Sequence, residues 1–173
     1  MKEYIQSINA SISNRLPKHL EVDVFELAEP ILIRDEEDRM LPCIRNGYTG
    51  DCAHVLDEAD GFDLVIYHKL NGKTFIRRAA SGYGDRPEVT CVCDLSLLVF
   101  GKSAKADMYD IETQLEELLS MQKDVELQSA DFNSVQVWGA EYTGVPYYLD
   151  PQFFLFRINY RLSTSLLTGC KHK

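Results

Sequence analysis

Apolar residues at the start of the chain recur at spacings of three and four: Ile5, Ile8, Ile12 and Leu16, with Lys2, Gln6, Asn9 and Asn14 between them. Such spacing puts one apolar stripe on a helix. Pro17 lacks an N–H and disfavours helical geometry at Leu16, so the helix is expected to end there. The period then changes to two. Leu20, Val22 and Val24 alternate with Glu21 and Asp23, and Phe25 and Leu27 extend an expected strand. Pro30 sets off a further short run, Ile31 to Ile33. Residues 34–61 lose this order. The acidic run Asp35-Glu36-Glu37-Asp38 and the turn-prone Asn46-Gly47, Gly50-Asp51 and Asp60-Gly61 predict a long loop with one short extended piece from Leu41 to Ile44.

Residues 62–78 carry a hairpin signal. Phe62, Leu64 and Ile66 alternate with Asp63, Val65 and Tyr67, Asn71-Gly72 suits a type I′ turn, and the chain returns from Lys73 to Arg78. After the break at Gly82, Gly84 and Pro87, residues 88–100 form the longest expected central strand. Val89, Cys91, Cys93, Leu95, Leu97 and Val99 share one face, and Val92, Leu98 and Phe100 lie on the other; Gly101 and Lys102 are expected to end it. A second helix is predicted over 107–122, with Met108, Ile111, Leu115, Leu118 and Leu119 as its buried stripe and Asp107 or Asp110 as its cap. Val125 and Leu127 indicate a short strand, and Val135, Val137 and Trp138 another. Beyond a Gly/Pro-rich bend over 142–151, Phe154, Phe156, Ile158, Tyr160 and Leu162 mark the core face of a strong last strand. Its opposite face mixes Phe153 and Leu155 with Arg157, Asn159 and Arg161. That mixture fits a surface covered by a partner, and equally a free sheet edge.

These elements predict an α+β fold: a mostly antiparallel sheet of about four to six strands with two helices on one face. The 173 residues contain no linker-like stretch, so one domain spanning 1–173 is expected, with 34–80 as a loop and hairpin elaboration.

Charge narrows the function. The net charge is −9, from 27 acidic against 18 basic residues, a poor balance for gripping a phosphate backbone. No apolar run reaches the roughly 20 residues a membrane-spanning helix needs, and residues 1–20 hold no signal-peptide core. Five cysteines, Cys43, Cys52, Cys91, Cys93 and Cys170, are an odd number in a chain without a disulfide framework, which points to a reducing cytoplasm.

Candidate chemistry is sparse. Cys52 and His54 are the nearest thing to a nucleophile and its base, but nothing beside them marks an oxyanion site or a group to orient the base. A zinc site from Cys43, Cys52 and His54 lacks the close ligand spacing such sites use, and Cys91 and Cys93 read as core residues of a strand. The acidic run 35–38 lacks the glycine and the later glutamate of a calcium loop. Gly82-Tyr83-Gly84-Asp85 lacks the Lys-Ser/Thr and helix start of a phosphate loop. His19, His68 and His172 are isolated. The expectation is therefore no catalytic apparatus, metal or cofactor, with function residing in contact surfaces. Trp138, Tyr142, Tyr147 and Tyr148 are candidate interface aromatics; Tyr67, Arg77, Arg78, Arg157 and Arg161 complete the candidate set. The stretches 34–61 and 62–78 and the outer face of the last strand are the candidate contact regions.

The order of elements resembles the tail-terminator and neck proteins of long-tailed bacteriophages. The resemblance rests on three places: the N-terminal helix running into a strand, the strand ending in Val99-Phe100-Gly101 that passes to the helix over 107–122, and Tyr147-Tyr148-Leu149-Asp150-Pro151-Gln152 leading into Phe153-Phe154-Leu155-Phe156-Arg157-Ile158-Asn159-Tyr160. The long segment 34–61 departs from the compact family pattern. The resemblance implies a homo-oligomeric, hexameric ring beneath the capsid that meets tail-tube and neck or connector proteins. DNA would pass through its acidic lumen without being specifically bound. It also implies residence in the bacterial cytoplasm during assembly and in the virion afterwards. Two rivals remain: a host-encoded intracellular binding module built on the aromatics near Trp138 and Tyr147, and an enzyme using Cys52 and His54.

Overall fold

The computed structural model describes residues 1–34, 36–38, 40–46, 52–54, 62–78, 88–132 and 152–166, with the backbone alone at 30, 32, 33, 40–44, 46, 52–54, 88 and 166. Helix α1 (Lys2–Arg15) is followed by β1 (Val22–Arg34), β2 (Met40–Asn46), β3 (Cys52–His54), β4 (Leu64–Arg78), β5 (Glu88–Lys102), α2 (Met108–Ser120), β6 (Val125–Phe132) and β7 (Phe153–Leu166). The strands lie in the order β3-β2-β1-β4-β5-β7-β6. Every neighbouring pair is antiparallel except β1 and β4, which run parallel. The fold is α+β, as the hydrophobic pattern predicts. Five strands (β1, β4, β5, β7 and β6) make the main sheet, and the second half of β1 carries β2 and β3 beyond it.

Both helices cover the same face of the sheet. Ile5, Ile8 and Ile12 of α1 and Ile111, Leu115, Leu118 and Leu119 of α2 join one buried cluster with Leu64, Ile66, Cys91, Cys93, Leu95, Leu97, Val99 and the alternate residues Phe154 to Leu162 of β7. The alternation that marks these strands in the sequence is the alternation that feeds the core. α1 stops at Leu16, whose extended backbone (ψ 151°) is the geometry that Pro17 imposes on its predecessor. Asp107 caps α2, its carboxylate accepting from the Tyr109 and Asp110 amides at 2.9 and 3.1 Å.

Four expectations need correction. Residues 62–78 do not turn at Asn71-Gly72; β4 runs straight through, paired with β5 from Leu64↔Gly101 to Arg78↔Glu88. Asn71 alone is absorbed, as an irregularity between Leu70 and Gly72, while Gly72 pairs with Asp94; the Asn71 amide donates to Ser96 Oγ at 2.7 Å instead of closing a turn. Pro30 does not divide β1: Pro30 pairs with Ile44, in a half-strand whose neighbour among the described residues is β2 alone, where a missing N–H is tolerated. Gly101 does not end β5. It lies between Leu64 and Phe154 in register, where an added Cβ would meet the Phe154 ring and come within 2.6 Å of Leu64 Cδ2. Within 34–61, the expected extended piece at Leu41 to Ile44 is present inside the longer β2, while the described residues around it add β3 and a turn at Glu36 to Asp38 where loop was expected.

The face away from the helices is not uniformly wet. Tyr67, Leu98, Phe100 and Leu155 are buried there, with the Tyr67 and Phe100 rings stacked at 6.1 Å. Further along, a polar ladder crosses four strands. Asn71 donates to Ser96, Ser96 Oγ to Asn159 Oδ1 at 2.6 Å, and Asn159 Nδ2 to Ser129 Oγ and Asp131 Oδ2.

Candidate functional site

Among the described residues the second half of β4 has an open strand edge inside the sheet, and the reason lies in β1. β1 accompanies β4 only from Val22↔Leu64 to Leu27↔His68; from Ala28 onward it pairs with β2. Beyond His68 the outward edge of β4 therefore has no strand beside it among the described residues. From Leu70 to Arg78 every second residue turns its N–H and C=O outward, as an unpaired sheet edge does.

This edge carries a distinctive set of side chains. Lys73 through Arg78 are all exposed, and Phe75 and Ile76 keep 55% and 49% of their surface in contact with solvent. The register puts Lys73, Phe75 and Arg77 on the face of Cys93, Cys91 and Val89, and Thr74, Ile76 and Arg78 on the other. The Lys73 ammonium lies 5.1 Å from the Phe75 ring centroid, a cation–π distance. Between Leu64 and Arg78 there are four lysines and arginines and no carboxylate. In a chain of net charge −9 this is a local reversal of sign.

The opposite margin has the other sign. β6 is the last strand, flanked by α2, and from Asp107 to Asp131 the chain has eight carboxylates and one lysine. Glu112 titrates above the usual carboxylate range, because of burial first and then the neighbouring Glu116. Glu126 is exposed and faces Arg161 in register, but Arg161 Nε donates to Asp94 Oδ1 at 2.8 Å instead.

Of the residues singled out in the sequence, Arg77 and Arg78 are both exposed on the open edge of β4, on opposite faces of the sheet. Tyr67 is fully buried against Phe100 and presents no surface to a partner, a correction to its place in the candidate set. Arg157 is committed within the chain, donating from Nε and Nη2 to Asp131 Oδ2 at 3.1 and 2.6 Å. Arg161 is half-exposed beside Asp94. Trp138, Tyr142, Tyr147 and Tyr148 lie outside the described residues, as do Gly82 to Asp85. The backbones of Cys52 and His54 lie on β3, with His54 opposite Cys43; their side chains are outside the description. Among the described residues, no three His, Cys, Asp or Glu side chains converge as metal ligands, and no helix is long and apolar enough to cross a membrane.

His68, which the sequence leaves isolated, is instead a buried tie between three elements. Its Nε2 lies 2.7 Å from Asn9 Oδ1 and its Nδ1 2.7 Å from the Tyr160 hydroxyl. Asn9 Nδ2 donates to the Phe25 carbonyl, which leaves Asn9 Oδ1 as an acceptor. The neutral ring with its proton on Nε2 satisfies both contacts: Nε2–H donates to Asn9 and Nδ1 accepts from Tyr160. Burial lowers the pKa of His68 to about 3, and burial raises that of Tyr160 with a smaller contribution from Cys93. Only knowledge of which elements meet at position 68 reveals this triad. Lys73, Phe75 and Ile76 fall inside the 62–78 contact region but are not singled out by the sequence, because Asn71-Gly72 suggests a turn there rather than one continuous strand.

No protein-family model matches the chain, and no curated protein sequence matches it.

Proposed function

We propose that the chain is an assembly protein, a tail-terminator or neck component of a long-tailed bacteriophage or prophage that works as a homo-oligomeric ring. The observation that carries this reading is the open edge of β4. Among the described residues this nine-residue strand edge, with exposed Phe75 and Ile76 and clustered cations, has no strand beside it, and open sheet edges recruit strands. The separation of charge between β4 and the α2–β6 margin adds support, since a surface with two unlike poles favours head-to-tail association. The acidic balance outside β4 suits a wall along which DNA moves without adhering. In this reading the partners are further copies, tail-tube protein and neck or connector protein, and the site of action is the bacterial cytoplasm during assembly and then the virion.

Light scattering coupled to size exclusion, over protein concentrations from low micromolar upward and with or without tail-tube protein, tests the reading. A discrete oligomer supports it. A monomer under every one of these conditions refutes it.

A further inference from the structure

We infer that the outward edge of β4 in one copy pairs with the outward edge of β6 in the next, so that the sheet continues across subunits. This rests on the ring reading above and names the contact that makes the ring.

Strand direction carries the first part of the argument. β4, β5, β7 and β6 alternate in direction, each antiparallel to its neighbour. In a block of four alternating strands the two outer ones run in opposite directions. When such blocks are repeated side by side in the same orientation, β6 meets β4 of the next block antiparallel. The junction then continues the internal pattern with no reversal of any copy. Both margins are open among the described residues: β6 has β7 as its sheet neighbour, and β4 has only β5 beyond His68.

Charge selects between the possible pairings. An isologous contact of β4 with itself would bring Lys73, Arg77 and Arg78 of both copies into one junction with no carboxylate between 64 and 78 to offset them, and like charges on paired strands oppose pairing. Pairing with β6 brings Lys73 and Arg77, on the helix-covered face, toward the carboxylates of α2, and Arg78, on the other face, toward Glu126. The contact is then heterologous, and a heterologous contact propagates into a ring when the rotation closes.

Register adds a constraint. Through β5 and β7, Leu70 lies level with Leu95, Tyr160 and Leu127, and Lys73 with Cys93, Leu162 and Val125. β6 therefore lies level with the part of β4 from Ile66 to Lys73, whereas the open part of β4 extends on to Arg78. Full pairing of the two edges requires a stagger along the strands, which is the shear any closed sheet needs. The cations also protect the edge from indiscriminate pairing, which makes the acidic β6 the favoured strand.

Cysteine cross-linking on the full chain tests the pairing, with Thr74→Cys on β4 and Gln128→Cys on β6, each read against the background of the wild-type cysteines. The double variant is expected to give a ladder of covalent multimers on mild oxidation or with a short bismaleimide, while each single variant stays at background. A mixture of the two single variants is expected to give a covalent dimer. Adding Lys73→Glu and Arg77→Glu to the double variant, with circular dichroism unchanged, is expected to cut the cross-linked fraction by about tenfold. Dimers from Thr74→Cys alone would show β4 pairing with itself and overturn the inference. An oligomer by light scattering whose double variant forms no ladder would overturn it while leaving the ring reading in place. A chain that never oligomerises would remove both.

Discussion

Acidification tests the buried triad of His68, Asn9 and Tyr160 quantitatively. An ordinary histidine titrates near 6.5, whereas His68 in the folded chain is held near 3 by burial. Above pH 6.5 the ring is neutral in both folded and unfolded chains, and protonation makes no difference between them. Below it, the unfolded chain takes up a proton that the folded chain refuses, so stability falls as the pH falls, by about 1.4 kcal/mol per unit until the folded pKa is reached. At pH 5 the loss relative to pH 7.5 is about 2 kcal/mol. Asp23, whose pKa is raised mainly by burial, works in the opposite direction, since a carboxyl that protonates more readily when folded adds stability on acidification. Glu112 has the same sign. The cleanest observable is therefore the difference between wild type and His68→Gln. The glutamine amide retains a donor for Asn9 but leaves the Tyr160 hydroxyl without its acceptor, at a cost of about 1–3 kcal/mol at pH 7.5. Urea unfolding followed by far-UV circular dichroism, at one low protein concentration and between pH 7.5 and 5, should show the two stabilities converging by about 2 kcal/mol as the pH falls. Parallel pH profiles would refute a neutral buried His68.

Three further substitutions probe the packing that positions the sheet. Gly101→Ala forces a methyl group against the Phe154 ring and Leu64 Cδ2 and should cost about 1–3 kcal/mol in urea unfolding. Asp107→Ala removes the acceptor for the Tyr109 and Asp110 amides and should cost about 1 kcal/mol, with Asp107→Asn close to neutral. Ser96 is fully buried and joins Asn71 to Asn159, so Ser96→Ala should cost about 1–3 kcal/mol by leaving both amides short of a partner.

Much of the core was legible because one rule generated it. Alternation in β5 and β7, together with the stripes on α1 and α2, names the residues that meet in the buried cluster. The Asp107 cap was legible too, since its carboxylate acts on its own neighbours in sequence. Where local signals and pairing disagree, pairing prevails. Asn71-Gly72 is a strong turn signal, yet seven register pairs before it and six after it hold β4 against β5, and the spare residue, Asn71, turns its amide to Ser96. Tyr67 and Arg157 looked like surface residues because alternation identifies two faces without saying what covers the second. Phe100 and Asp131 cover them, and both come from other strands. The open edge of β4 was not legible, although 62–78 was marked as a contact region. Its openness depends on β1 leaving at Leu27 to join β2, a tertiary event that no local pattern in 64–78 records.

Hydrogen–deuterium exchange measured over a range of protein concentrations tests the central claim most directly, because it reads the backbone amides that pairing between copies would protect. Alternate amides within residues 70–78 and 125–132 should exchange freely in dilute solution and slow together as concentration rises, while amides of the central strands β5 and β7 stay slow throughout. Unchanged exchange at both edges, in solutions where the chain is already oligomeric, would mean that the sheet ends within each copy and that assembly uses another surface.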